Sequence, residues 1–276
     1  MTGPLVPRRS IIACTVATSD SGGGAGIQAD LKSFAACGVY GVSVAVALTA
    51  QNTLRVSAVH GLPIDFVEAQ FAALDLDLRP TAVKTGMLFT AAHITAVAEQ
   101  LTALSWGPLV VDPVMIAKSG DRLLERAAIG LMRELLLPLA TVVTPNWPEA
   151  AALSGMPVDS EASAIAAAES ILRMGPEVVV VKGGHSPGDP VDLVLGRHGL
   201  SRLPGLRIET RHTHGTGCTF SAAITAHLAC GTSPEDAITL AKEYVTSAIR
   251  HAPGLGAGHG PLEHFPPDLG RPTAAS

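Results

Sequence analysis

IIACTVATSDSGGGAGIQADLKSFAACG, residues 11–38, contains the unit from which the fold is read. Ile11 to Ala17 is a continuous apolar run that fits a strand buried on both faces. It empties into the turn TSDSGGGAG, and IQADLKSFAACG then reads as a helix closed by Gly38. Strand, polar loop, helix recurs roughly six times along the chain. Val42 to Thr49, Ala82 to Lys84, Leu109 to Asp112, Thr141 to Val143 and Glu177 to Val181 supply the later buried strands. Helices are expected from Pro63, over Ala91 to Leu104, from the loop IAKSGD through Leu137, beyond TPNWPE, and over Ala162 to Met174. Two more follow Gly217 and open at Pro234 behind a Ser233 cap. Val191 to Leu195 and Leu203 to Ile208 read as a hairpin at one edge. The alternation predicts an α/β fold, a mostly parallel central sheet with helices on both faces. Neither repeat nor linker interrupts it, so residues 10–265 read as a single domain, with flexible tails at 1–9 and 266–276.

Composition narrows the function. The chain has 276 residues, enough for one substantial core, and is 47% hydrophobic with 4% aromatic residues, which suits buried strands and Ala-faced helices. A net charge of −5 and the lack of a dense Lys/Arg run argue against nucleic acid as a partner. Apolar stretches are too short to cross a membrane, and Arg8 and Arg9 precede only a brief apolar run, so no secretory leader is expected. Cys14, Cys37, Cys218 and Cys230 lack metal-ligand spacing and read as free thiols of a reducing cytoplasm. The first, second and fourth are expected to serve packing.

Sheets of this class bind ligands beyond the carboxyl ends of their strands. There the chain sets SDSGGGAG, TAQN, KTGM, DPVM, TPNWPE and KGGH, a polar or glycine-bearing loop at each strand end. GAGIQA, residues 24–29, matches the G-x-G-x-x-A fingerprint of dinucleotide sites. That fingerprint also needs an acid about twenty residues on for the ribose. No Asp or Glu lies between Asp30 and Asp65, so NAD is set aside. A P-loop is absent as well.

HTHGTGCTF, residues 212–220, offers another phosphate site: a Gly/Thr turn feeding an Ala-rich helix, with main-chain N–H groups of Gly215 to Cys218 at its positive end. An ordinary N-cap turn is the plainer alternative. Phosphoryl transfer needs phosphate donors, acids for a metal and a placed acceptor. Lys182 supplies a cation, and Asp112, Asn146 and Glu149 are candidate anchors for Mg²⁺ or its waters. Asn146 and Glu149 also have the spacing of a capping box. Cys218 reads either as a small buried hydrophobe or as a thiol whose pKa the helix end lowers toward neutrality, acting as base or positioning group. Gln51 presents a donor and an acceptor side by side, matching the ring nitrogen and exocyclic amine of an aminopyrimidine. Asp30 could accept from an amine or hydroxyl, and His214 is read as a polar loop residue at the same site.

The strings SDSGGGAGIQADLKSF, ALTAQNT, KTGML, DPVMIAKSGD, TPNWPEAAAL, VVVKGGH and THGTGCT, with GPLEHF near the end, resemble the ribokinase-like superfamily. Within it they are most similar to the bacterial hydroxymethylpyrimidine/phosphomethylpyrimidine kinases of thiamine biosynthesis. They span Ser19 to Phe265 in the family's order. The resemblance implies a three-layer α/β/α sandwich, often dimeric, that uses ATP and Mg²⁺. Its substrate would be 4-amino-5-hydroxymethyl-2-methylpyrimidine and then the monophosphate. By the same resemblance Asp30 and Gln51 hold the pyrimidine and Met87 packs on its ring. Gly215 to Gly217 form the anion hole, and Cys218 stands where the wider superfamily has a catalytic Asp. Lys182 and Asn146 serve ATP, Glu149 and Asp112 its metal. Two positions depart from the family: Thr18, where Gly is usual, stands to crowd the substrate, and His212 replaces Asn. A pyridoxal or pyridoxine kinase and a non-catalytic pyrimidine-binding protein of this fold are the rivals.

Overall fold

The computed structural model describes residues 11–115, 126–185 and 188–268. The N-terminal arm, the loop IAKSGD and most of the C-terminal tail lie outside the described residues. Its elements run β1 (Ile12–Asp20), α1 (Gly26–Ala36), β2 (Tyr40–Gln51), β3 (Val56–Gly61), α2 (Ile64–Asp77), β4 (Ala82–Thr85), α3 (Ala91–Leu104) and β5 (Leu109–Val111). There follow α4 (Arg126–Leu131), β6 (Val142–Val143), α5 (Trp147–Ser154), α6 (Glu161–Leu172), β7 (Val178–Val181), β8 (Val191–Gly196), β9 (Gly199–Pro204), α7 (Thr216–Ala229) and α8 (Pro234–Arg250).

Neighbouring residues of a strand face opposite sides of its sheet, and the paired valines of this chain use both. Val111, Val143 and Val179 join the core that contains Phe71 of α2, Ile94 of α3, Leu153 of α5 and Ile171 of α6. Val110, Val142 and Val178 join the core that contains Phe220 and Ile224 of α7 and Ile238 and Tyr244 of α8. Phe34 of α1 packs with Ala222 and Ala226 of α7 on that second side. Burying a side chain such as Phe34 or Phe71, both fully enclosed, contributes about 1.5–3 kcal/mol each. The result is the expected sandwich, with one sheet between two helical layers.

The sheet has nine strands in the order β3-β2-β1-β4-β5-β6-β7-β8-β9. Strands β2, β1, β4, β5, β6 and β7 are mutually parallel. Antiparallel partners close each end, β3 on β2 and the pair β8 and β9 on β7. The chain steps from β1 outward to β2 and returns to place β4 on the other side of β1. The switch in strand order therefore falls between β1 and β4, which fixes the ligand crevice at their carboxyl ends. Across it the Thr18 hydroxyl donates to the Met87 carbonyl at 3.0 Å.

Four details differ from expectation. The segment read as a connector contains β3, whose mostly exposed residues give no apolar run. The second hairpin strand starts at Gly199 rather than Leu203, because the turn Arg197–His198 is short enough to pair Gly196 with Gly199. The described part of the helix expected through Leu137 is α4, a wider π turn at Met132–Leu136 and a 3-10 turn ending at Leu139. Cys230, expected as packing, is exposed at the C-cap of α7, whereas Cys37, half-buried at the C-cap of α1, packs against the core as expected.

Candidate active site

The start of α7 decides the site. Gly215 has φ 82°, a left-handed conformation that suits glycine, and a Cβ there would collide with the Gly24 carbonyl. No side chain caps the helix; the Thr216 amide reaches back to the Thr213 carbonyl at 3.3 Å, and the Gly217 amide lies at the positive end of the dipole. A Cβ on Gly217 would lie 3.3 Å from Lys182 Nζ and 3.5 Å from Asp112 Oδ2. The structure thus brings Gly215, Thr216, Gly217, Lys182 and Asp112 together.

Lys182 Nζ donates to Asp112 Oδ1 at 3.1 Å and lies 3.7 Å from Glu149 Oε2. Asp112 also receives the hydroxyls of Thr144 at 3.3 Å and Ser221 at 3.2 Å. Burial works against its charge, but Lys182 and Lys84 hold its carboxyl below the usual range. Burial pushes the Glu149 carboxyl up to about 7, with Lys182 opposing. Asn146 and Glu149 do form the capping box of α5. The Asn146 amide donates to Glu149 Oε2 at 2.8 Å and the Glu149 amide to Asn146 Oδ1 at 2.9 Å. Glu149 is therefore both a helix cap and a neighbour of Lys182. No group of three or more His, Cys, Asp or Glu gathers as a metal cage among the described residues. Mg²⁺, however, commonly takes one or two carboxylates and completes its shell with water and phosphate oxygens. Asp112 and Glu149, flanking one cation beside an anion loop, fit that mode.

Beneath the loop lies a charge pair that sequence reasoning missed. Lys84 Nζ donates to Asp30 Oδ1 at 2.9 Å and Oδ2 at 2.8 Å, and Thr15 Oγ1 donates to Oδ2 at 2.6 Å. Both side chains of the pair are fully buried. Burial disfavours the Lys84 ammonium, but Asp30 beside it holds its pKa above the ordinary value. Asp30, expected to meet the pyrimidine, thus has both oxygens engaged within the protein. The signal was a lysine in the otherwise apolar strand AVKT, since lysine is almost never fully buried without a partner.

The Cys218 thiol lies among Lys84, Asp30 and Asp112, with the Gly26 amide nearby. Burial pushes it up to about 12, Lys84 pulls it down, and Asp30 and Asp112 push it further up. The expectation of a thiol lowered toward neutrality is overturned, because burial and two carboxylates outweigh the pull of Lys84. Cys218 keeps its proton at neutral pH, which suits a positioning group and not a ready base.

Gln51, at the end of β2, lines a small cavity with residues 52–56, His214 and His259. Its Nε2 lies 3.2 Å from His214 Nε2 and its Oε1 3.1 Å from Thr49 Oγ1. His214 Nε2 also lies 3.0 Å from Asp20 Oδ2. Asp20 gathers the amides of Gly22, Gly24 and Ala25 at 2.8, 3.1 and 2.9 Å. The glycines of the first loop thus wrap a carboxylate of the chain itself, which accounts for a dinucleotide-like string without its ribose acid. Met87 follows β4, half-buried, with its carbonyl taken by Thr18. Thr18 is buried.

Comparison with known proteins extends this geometry. A family described as phosphomethylpyrimidine kinase matches residues 20–263. The hydroxymethylpyrimidine/phosphomethylpyrimidine kinase of Bacillus subtilis is 46% identical over 255 residues, covering 92% of this chain and 94% of that protein. The thiamine biosynthesis bifunctional protein ThiED of Geobacter sulfurreducens is 50% identical over 260 residues. That match takes in 94% of this chain, which spans about half, 53%, of the longer protein. Among solved structures, the ADP complex of Bacillus subtilis pyridoxal kinase has a TM-score of 0.88 at 38% identity, covering 95% of this chain and 100% of that one. Phosphomethylpyrimidine kinase from Clostridium difficile 630 has a TM-score of 0.78 at 42% identity, covering 87% and 100%.

Proposed function

This chain belongs to the phosphomethylpyrimidine kinase family, and from that premise we propose that it phosphorylates hydroxymethylpyrimidine with ATP and then phosphorylates the monophosphate. The observation that carries the reading is the anion loop lying on Lys182 and Asp112, with the cavity at Gln51 in the same crevice. In the first transfer the alcohol oxygen bonds to the γ-phosphorus as the bond to the ADP oxygen breaks. The amides of Gly215 to Gly217 and the Lys182 ammonium receive the charge on the moving phosphoryl group. Asn146 is assigned to the nucleotide, and Asp112 and Glu149 would hold Mg²⁺, which when bound neutralises phosphate charge. Gln51 binds the aminopyrimidine edge and Met87 lies at the ring; Asp30 supports that wall through Lys84. The Cys218 thiol, protonated at neutral pH, orients the acceptor without taking its proton. In the first transfer the alcohol proton passes to an oxygen of the arriving phosphoryl group as the new bond forms, and in the second the monophosphate acceptor is already an anion and needs no base.

Supplying the pyrimidine alcohol with ATP and Mg²⁺ should yield first the monophosphate and then the diphosphate, identified by mass spectrometry. Failure to form either overturns the reading. Pyridoxal belongs in the same assay, because solved pyridoxal kinases share this fold at a TM-score of 0.88. Faster turnover of pyridoxal would displace the pyrimidine as substrate. The reading also has the enzyme working in the cytoplasm as a homodimer, which light scattering tests in solution.

A further inference from the structure

We propose that His214, clamped by Asp20, fixes which end of the Gln51 amide faces the pyrimidine, and so makes the site discriminate a 4-amino ring from a 4-oxo ring. This rests on the reading in which Gln51 holds the pyrimidine.

The positions of a few protons decide how the amide sits. Asp20 Oδ2 lies 3.0 Å from His214 Nε2 and accepts from the amides of Gly24 and Ala25, while Oδ1 accepts from Gly22. Burial alone would raise the Asp20 carboxyl, but the bonds from His214, Gly22 and Ala25 hold it below its ordinary value. Facing a carboxylate, Nε2 must carry the hydrogen, since its lone pair there would be repelled. An Nε2–H cannot also accept from the Gln51 Nε2–H group 3.2 Å away. At the amide's other end, the Thr49 hydroxyl lies 3.0 Å from the Ser19 carbonyl and 3.1 Å from Gln51 Oε1. It has one proton, and the carbonyl, which can only accept, takes it. Thr49 Oγ1 is then left to accept.

An amide NH₂ facing the His214 Nε2–H is repelled, whereas Oε1 there shares that hydrogen with Asp20 Oδ2 in a three-centre bond. Both neighbours therefore favour the same half-turn of the amide, with Oε1 toward His214 and the NH₂ toward Thr49. Terminal amide torsions are soft, and the two ends have the same shape, so partners alone decide between them. The second lone pair of Oε1 then accepts from the exocyclic amine, and the second hydrogen of Nε2 is donated to the ring nitrogen. A 4-oxo ring with its N–H presents an acceptor and a donor in the reverse order, so both contacts turn repulsive. The imidazole is held in place meanwhile. The His214 amide donates to the Gly260 carbonyl at 3.1 Å, and a Cβ on Gly24 would collide with the ring.

His214 is thus a positioning residue, and its test reads specificity. In the full-length protein, kcat and KM are measured for the amino alcohol, its 4-oxo analogue and ATP. Wild type should prefer the amino ring by at least about 100-fold in kcat/KM, as expected of a site built to pair with a polar edge. His214→Leu should raise KM for the amino alcohol and cut that preference about tenfold each, with kcat and the KM for ATP within about twofold. His214→Gln, which can still donate to Asp20, should keep the preference. Thr49→Val releases the other end of the amide and should erode the preference too, which covers the case of a poorly folded His214→Leu protein. If Gln51→Ala raises the pyrimidine KM while Thr49→Val and His214→Leu leave the preference intact, the inference is overturned and the binding reading stands. If Gln51→Ala leaves KM unchanged, both fall.

Discussion

Two side chains show how a residue's neighbours override its type. Cys218 sits one turn from a helix N-terminus, a place that lowers thiol pKa values, yet burial and the carboxylates of Asp30 and Asp112 raise it to about 12. Replacing it by Ala should lower kcat about 100-fold and leave both KM values within about threefold, in line with loss of acceptor alignment in the transition state. Unchanged turnover in steady-state assays would return Cys218 to packing. Mass spectrometry after brief iodoacetamide treatment at neutral pH should find the exposed Cys230 modified first. Lys84 makes the complementary case. Lys84→Met strands a buried carboxylate at Asp30, and such losses cost about 3–5 kcal/mol, so the melting temperature should drop by about 10 °C. A drop of only a degree or two would mean that the pair is dispensable. Gln51, Lys182 and Asp112 were legible because each closes a strand at the ligand edge. The Lys84–Asp30 pair was not, because pairing at 54 residues' separation is a tertiary fact.

Elements were readable where period and punctuation agree. The boundaries Ala91 to Leu104 and Pro234 onward follow from capping, with Thr90 accepting from the His93 amide and Ser233 from that of Asp236. Strand β3 was hidden because an exposed edge strand needs no apolar run. The first glycine loop was read as a ligand loop, but it encloses Asp20, whose histidine partner lies 194 residues further on. The segment after α8 also acts as an element without regular structure. His264 is buried there against Thr219 of α7, 3.2 Å from its hydroxyl, and its carbonyl accepts from Tyr244 at 2.8 Å. Burial holds its imidazole down at about 4, against 6.5 ordinarily. Between those values the unfolded chain binds more protons than the folded one, so stability is full above pH 6.5 and is lost toward pH 4. The loss amounts to about 3 kcal/mol. Urea midpoints should fall across that window, and His264→Asn should flatten the fall; an unaltered slope in the variant would place the proton uptake elsewhere.

At the scale of the whole molecule, the parallel centre and the layers follow from an alternation visible in the chain. The strand order does not, because nothing local says on which side of β1 the strand β4 will pair. That choice creates the crevice in which the nucleotide is proposed to bind. ATP with Mg²⁺ at about 100 times its Kd adds about 2.7 kcal/mol to stability, a rise of about 5–10 °C in Tm for a chain of this size. NAD should give none. A shift with NAD and not with ATP in a thermal melt would reverse the assignment.

The contact of Gly215 with the Gly24 carbonyl also bears on how the enzyme is made. On the ribosome, the wall that carries Gln51 is synthesised early, while the turn assigned to phosphate emerges some 160 residues later. On the proposed reading, a nascent chain stalled between the two lacks the turn assigned to phosphate. The proposed site is therefore complete only once the late turn docks on the early one.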